Sequence, residues 1–137
     1  MKKTKTFIDS GVLIYAARGQ GEIAAVALGI LTDSNREFAS SIFVKLEVLP
    51  KAIYNRQADE VEFYEEFFEA LAHWATDIDE IIRIAEKEAN SSGLGPMDAL
   101  HIAAAISVGA AEFVTTEKLS KSIHRTKSIK VTSIHPN

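Results

Sequence analysis

The spacing of apolar positions changes several times along the chain, and each change marks an element. Thr6-Phe7-Ile8-Asp9 is a short apolar run closed by an acid, and it reads as a buried strand. Ser10-Gly11 breaks it, and Val12-Leu13-Ile14-Tyr15-Ala16-Ala17 continues as a helical turn. The Ala-rich stretch from Glu22 to Leu31 suits a helix. Glu37-Phe38-Ala39-Ser40 predicts a second strand, and Ser41 is placed to N-cap a helix through Ile42, Phe43, Leu46 and Leu49. Pro50 falls inside that pattern. Its missing N–H and its ring predict a kink, or an end near Leu49.

Beyond Asp59, a candidate cap, the residues Val61, Tyr64, Phe67, Phe68 and Leu71 make one apolar stripe with glutamates opposite. Trp74-Ala75-Thr76 reads as a brief extended piece. Asp77 or Asp79 caps a helix carrying Ile81, Ile82, Ile84, Ala85 and Ala89, and Ser91-Ser92-Gly93-Leu94-Gly95 ends it. Pro96 suits the first position of a helix from Met97 to about Val108, apolar nearly all round, which Gly109 stops. Glu112–Thr116 and Ile129–Ile134 predict two further strands. Strands alternating with helices imply βαβ units, hence an α/β fold with a mainly parallel sheet covered on both faces. In such sheets ligands bind beyond the carboxyl ends of the strands.

Composition narrows the chemistry. The 137 residues are 47% apolar and 25% charged, the balance of an ordinary globular protein. No linker, repeat or low-complexity tract divides them, so one domain over residues 1–137 is expected. The absence of cysteine excludes a disulfide scaffold, a Cys-ligated zinc site, an iron–sulfur cluster and a thiol nucleophile. No apolar run is long enough for a membrane span or a secretory leader, which predicts no membrane partner and a cytoplasmic location. The net charge of −4 is unevenly spread. Residues 57–80 hold nine acids and no Lys or Arg, whereas residues 118–137 hold five bases and no acid. A polyanionic substrate therefore stays open despite the acidic total.

The carboxylates near the strand ends are the notable groups. Asp9 closes the first strand, Glu117 follows the strand Phe113-Val114-Thr115, Asp98 opens the helix entering that strand, and Glu47 lies among apolar neighbours. Each has an ordinary alternative. Asp9 serves an Asx turn, Asp98 complements the helix dipole, Glu47 pairs with Lys51, and Glu117 pairs with Lys118 or Lys121. Gathered at one edge, however, they would repel one another, and a hard divalent cation such as Mg²⁺ resolves that conflict. His101, one turn after Asp98, is expected to pack or hydrogen-bond rather than ligate. No GxSxG elbow or GxxxxGK[ST] phosphate loop is present. Gly19-Gln20-Gly21 is too short for a dinucleotide fingerprint, and no strand precedes Gly93-Leu94-Gly95.

These segments resemble a family. Phe7-Ile8-Asp9-Ser10-Gly11-Val12-Leu13-Ile14-Tyr15 is similar to the opening motif of PIN-domain proteins, and Ser41 to Leu49 with Glu47 is similar to their second motif. Met97-Asp98-Ala99-Leu100-His101-Ile102-Ala103-Ala104-Ala105 resembles the third, and Phe113-Val114-Thr115-Thr116-Glu117 resembles the segment ending in a fourth polar or acidic position. The size is that of a VapC-like toxin of a toxin–antitoxin pair. The resemblance implies a three-layer α/β/α sandwich and an endoribonuclease dependent on Mg²⁺ or Mn²⁺. It makes Asp9, Glu47, Asp98 and Glu117 the metal-binding and catalytic acids, with Ser10 and Thr115 accessory. Lys118, Lys121 and Arg125, just downstream, are candidate contacts to the RNA backbone. A cognate antitoxin partner is also implied, and the apolar helices around Tyr15 and Leu46 suit a homodimer. Two departures stand out: Gly11 replaces a common Asn, Ser or Thr, and Glu117 is longer than the usual Asp. Rival readings are a PIN nuclease outside such a pair, a degenerate PIN-like domain that binds RNA or protein without catalysis, and a metal-dependent phosphatase on another α/β fold.

Overall fold

Phe7 and Ile8 are wholly buried because their strand runs down the middle of a sheet covered on both faces. The computed structural model describes residues 2–136. Its strands are β1 (Thr4–Ile8), β2 (Arg36–Ser41), β3 (His73–Ala75), β4 (Glu112–Thr115) and β5 (Lys130–Ser133). They lie in the order β3-β2-β1-β4-β5, and every neighbouring pair is parallel. The register sets Phe7 beside Phe113, and their rings stack with centroids 5.5 Å apart.

The helices are α1 (Ser10–Arg18), α2 (Gly21–Leu31), α3 (Ile42–Tyr54), α4 (Ala58–Glu69), α5 (Ile78–Ser92) and α6 (Pro96–Ser107). Helices α1 to α4 pack among themselves, α5 packs on α6, and α6 lies against β2, β3 and β4. The result is the expected α/β/α sandwich. Ala99 and Ala103 to Ala105 of α6 are buried, since small side chains let a helix approach a sheet closely. Among the described residues, no helix is long and apolar enough to cross a membrane.

The chain runs from β1 to β2 and β3 on one side, then crosses back to β4 on the other side of β1. The carboxyl ends of β1 and β4 therefore flank the point where strand order reverses, the usual place for a ligand crevice. At the opposite end, buried Glu112 accepts hydrogen bonds from Thr6 Oγ1 and Arg36 Nε, both at 3.0 Å. That carboxylate has a cationic partner, as a buried charge requires.

Three local expectations are corrected. Helix α3 continues through Pro50 to Tyr54 without ending near Leu49. Val48, Leu49 and Ala52 are buried on either side of Pro50, so packing holds the helix together. Pro50 itself is exposed, where water reaches the carbonyl it leaves unpaired. Asp59 does not cap α4. Gln57 occupies that position without a side-chain bond, and Asp59 sits in the first turn, where its charge suits the helix dipole. The strand ends before Ser10-Gly11 as expected, but the helix that follows begins at Ser10 rather than Val12, with Asp9 as its N-cap.

Candidate metal centre

Asp9 is placed by two elements at once. Its N–H donates to the Val114 carbonyl at 3.0 Å, which ties the end of β1 to β4. Its side chain then has two donors. Oδ1 accepts the Ser10 N–H at 2.8 Å, and Oδ2 accepts Thr115 Oγ1 at 2.7 Å. Burial pushes the Asp9 carboxyl above its ordinary pKa, and the Glu47 charge adds to this. His101 and the two hydrogen bonds pull the other way without cancelling it.

Glu47 projects from the middle of α3. Its Oε1 accepts from Ser10 Oγ and lies against His101 Nε2, each at 2.5 Å. The bond with His101 is the main reason its pKa lies below the ordinary value. The expected alternative, an ion pair with Lys51, is not found among the described residues. His101 sits on α6 with its side chain 3% exposed, and burial alone would make it less basic. Glu47, Asp9 and Asp98 reverse that effect and raise it.

Asp98 stands in the first turn of α6, whose N-cap Gly95 supplies no side-chain bond. Burial raises its pKa most, followed by the charges of Asp9 and Glu117. Glu117 lies just past β4 with its main chain pinned. Its N–H donates to Thr115 Oγ1 at 3.1 Å, and its carbonyl accepts from Ser133 Oγ at 2.6 Å. The buried Thr115 hydroxyl thus links the strand-end loop to Asp9.

All four acids face one edge, but not equally closely. Donor atoms of Asp9, Glu47 and His101 lie within 4.8 Å of one another. Asp98 and Glu117 stand outside that tight group: the Asp98 charge acts on His101, and the Glu117 charge acts on Asp98. Among the described residues, no Lys or Arg forms an ion pair with Asp9, Glu47, Asp98 or Glu117, in contrast to Glu112 with Arg36. Carboxylates gathered without a Lys or Arg, two of them (Asp9 and Asp98) held above their ordinary pKa, fit a hard divalent cation, which takes carboxylate oxygens and relieves their repulsion. Asp9, Glu47 and His101 are the side chains whose donor atoms lie close enough together to share one.

The basic residues are arranged less directly. Lys118, Lys121 and Arg125 are exposed on the segment leaving β4. Arg125 lies over the end of α5, where Nη1 would be 3.1 Å from a Cβ at Gly93. Buried Glu88 of α5 anchors the same segment, accepting from Thr126 Oγ1 at 2.5 Å and Ser128 Oγ at 2.6 Å. A cleft of about 750 Å³ opens beside Glu47 between α1, α3 and α4, with Ile14, Ala17, Val48 and Ala52 in its walls and Lys51 at its rim.

Two features escaped sequence reasoning. His101 contacts Glu47 across 54 residues of chain, and only its one-turn spacing from Asp98 hinted that it faces the acids. The other is the neighbour of Gly11. A Cβ at Gly11 would meet Thr116 Oγ1 at 2.2 Å, so the space of a side chain at position 11 is already filled by the Thr116 hydroxyl.

Known proteins supply an independent comparison. The PIN domain family model matches residues 6–122. Solved structures align over nearly the whole chain. VapBC2 from Rickettsia felis, bound to a DNA fragment from its promoter, is 17% identical with a TM-score of 0.70, covering 95% of this chain and 98% of that one. VapBC-1 from nontypeable Haemophilus influenzae is 17% identical with a TM-score of 0.68, over 96% and 98%. A toxin–antitoxin complex from Klebsiella pneumoniae is 16% identical with a TM-score of 0.70, over 95% and 98%. At such identities the likeness is one of fold. No match is found among curated proteins.

Proposed function

The chain belongs to the PIN domain family, and from that premise we propose that it is a metal-dependent endoribonuclease, the toxin of a toxin–antitoxin pair. One observation carries the nuclease reading: Asp9, Glu47, Asp98 and Glu117 converge on the strand ends with no Lys or Arg to neutralise them. A binding module gains nothing from that repulsion, whereas a phosphodiester hydrolase uses it to hold Mg²⁺ or Mn²⁺.

Asp9, Glu47 and Asp98 are the proposed ligands. When bound, such a cation polarises the phosphate, lowers the pKa of an attacking water and stabilises the departing oxygen. The residues around it do the positioning. Thr115 and the Ser10 N–H fix the two oxygens of Asp9. Glu117, with its main chain held by Thr115 and Ser133 and its charge felt by Asp98, would help to hold a second ion. Lys118, Lys121 and Arg125 attract the RNA backbone outside the acids.

The partner reading rests on the solved VapBC and toxin–antitoxin complexes that share this fold. An antitoxin segment in the cleft beside Glu47 would cover the acids and block substrate. A homodimer is supported by exposed apolar side chains, among them Tyr15 at 41% and Leu46 at 60%. RNA as substrate favours action in the cytoplasm.

The test is incubation of the purified protein, freed of partner, with a mixed cellular RNA pool. Cleavage in Mg²⁺ or Mn²⁺ that vanishes with EDTA and in Asp98→Asn is expected. Cleavage surviving in Asp98→Asn overturns the site. Folded protein that binds RNA and cuts none in any arm favours the non-catalytic reading. A small co-expressed protein from the adjacent reading frame that restores RNA integrity identifies the antitoxin.

A further inference from the structure

Glu47 is gripped by one oxygen only. Ser10 Oγ from α1 and His101 Nε2 from α6 both converge on Oε1, and among the described residues no donor reaches Oε2. Both grips are buried: Ser10 opens α1 and is 8% exposed, and His101 lies on α6 with its side chain 3% exposed. Glu47 itself keeps 39% of its side chain exposed, so without an external hold its several rotatable bonds would spread the carboxylate over many positions.

The proximity of His101 to Asp9 and Glu47 raises the question whether it is a ligand. The far side of the ring answers it. Nδ1 is buried and has no hydrogen-bond partner among the described residues. An imidazole that ligates through Nε2 carries its proton on Nδ1, which here would bury an unpaired N–H. Metal-bound histidines nearly always give that N–H to an acceptor. In the neutral ring protonated on Nε2, that N–H donates directly to Glu47. The neutral ring then buries only a bare lone pair at Nδ1.

We infer that His101 is a positioning residue that clamps Glu47 Oε1, leaving Oε2 as the oxygen offered to the cation. The inference rests on the metal-dependent reading above and adds a residue to it that contacts neither metal nor substrate. His101 also couples the elements of the site. It stands one turn from Asp98 on α6 and holds Glu47 on α3, so two proposed ligands from different helices are set by one rigid ring.

The experiment measures Mn²⁺ binding to the full-length, metal-stripped protein by the EPR signal of free Mn²⁺. His101→Leu fills the buried space without a donor, and His101→Gln places an amide N–H near the position of Nε2. The Leu variant is expected to lose about 10–100-fold in Mn²⁺ affinity, and the Gln variant to recover most of it. In a Glu47→Gln background the Leu substitution should add no further loss, since the clamp has no carboxylate to orient. Pulsed EPR of Mn²⁺ bound to the wild type should show no directly coordinated nitrogen. Affinity unchanged in the Leu variant, or a coordinated nitrogen in the wild type, overturns the inference while leaving the metal site standing. A wild-type protein that takes up no Mn²⁺ overturns both. Should the Leu variant fail to fold, the Gln variant and the nitrogen signal still decide.

Discussion

Asp98 carries a charge that the metal-free fold opposes. Its carboxyl is held above the ordinary range by burial, then by Asp9 and Glu117, so the folded state binds a proton more tightly there than the unfolded chain. A raised carboxylate pKa means stability lost as pH climbs through the folded value and regained as it falls. Asp98→Asn should therefore abolish RNA cleavage yet raise the melting temperature in EDTA at pH 7, by a margin that shrinks towards acid pH. Thermal melts of both proteins across pH check this, and a variant that melts lower than wild type at neutral pH contradicts it. Gly11 is a second residue-scale case. Its replacement by Ala drives a Cβ against Thr116 Oγ1 and should cost about 1–3 kcal/mol, the range of an overpacked site. Pairing it with Thr116→Ala should restore most of that in denaturant titrations. The sequence marks Gly11 as a departure from related motifs. Only the fold explains it, because Thr116 is distant in the chain and adjacent in space.

Helix α3 shows where pattern reading succeeds and where it stops. Ser41 is legible as its N-cap, and the structure has Ser41 Oγ accepting the Val44 N–H at 3.4 Å. Its continuation past Pro50 is not legible, since local rules end a helix there and only the burial of Ala52 beyond it holds the last turn. Pro50→Ala should stabilise by about 1–2 kcal/mol, as a regained hydrogen bond and a relieved collision outweigh the entropy returned to the unfolded chain. The segment between β4 and β5 gives the converse case. Its basic residues are evident in the sequence, but the anchor holding it is not, because Glu88 lies 38 residues before Thr126 and reads as one more surface acid. Glu88→Ala should cost about 1–3 kcal/mol by leaving the buried Thr126 hydroxyl unpaired. Hydrogen exchange should then quicken over residues 118–129 while the sheet stays protected.

At the scale of the whole molecule, sheet order explains why the acids meet. Asp9 and Glu117 are far apart in sequence, but β1 and β4 are parallel neighbours across the point where the strand order reverses, so both emerge at one edge. That both acids share one edge follows from alternating strands and helices together with the strand-end rule, whereas the adjacency of β1 and β4 comes only from the sheet order. Which oxygen of Glu47 is free, and what holds the other, depends on the packing of α1, α3 and α6, which no periodicity encodes. The two ends of the sheet are also charged differently: Glu112 is matched by Arg36, whereas among the described residues the acids at the carboxyl end have no Lys or Arg partner. A bound cation should consequently stabilise the entire fold. With Mn²⁺ at a hundred times its dissociation constant the gain is about 2.7 kcal/mol, visible as a raised melting temperature in wild type and lost in Asp98→Asn.

The central claim is hydrolysis by water activated among these acids, and the most direct measurement is the chemistry of the cut ends. Two otherwise identical RNAs, one with a 2′-deoxy sugar on the 5′ side of a mapped cleavage point, are incubated with purified protein and Mn²⁺. Attack by water needs no 2′-hydroxyl, so both should be cut, with no 2′,3′-cyclic phosphate formed and no cleavage by Asp98→Asn. Cleavage of the all-ribose RNA alone, ending in a cyclic phosphate and persisting in the Asp98→Asn protein, would contradict the account.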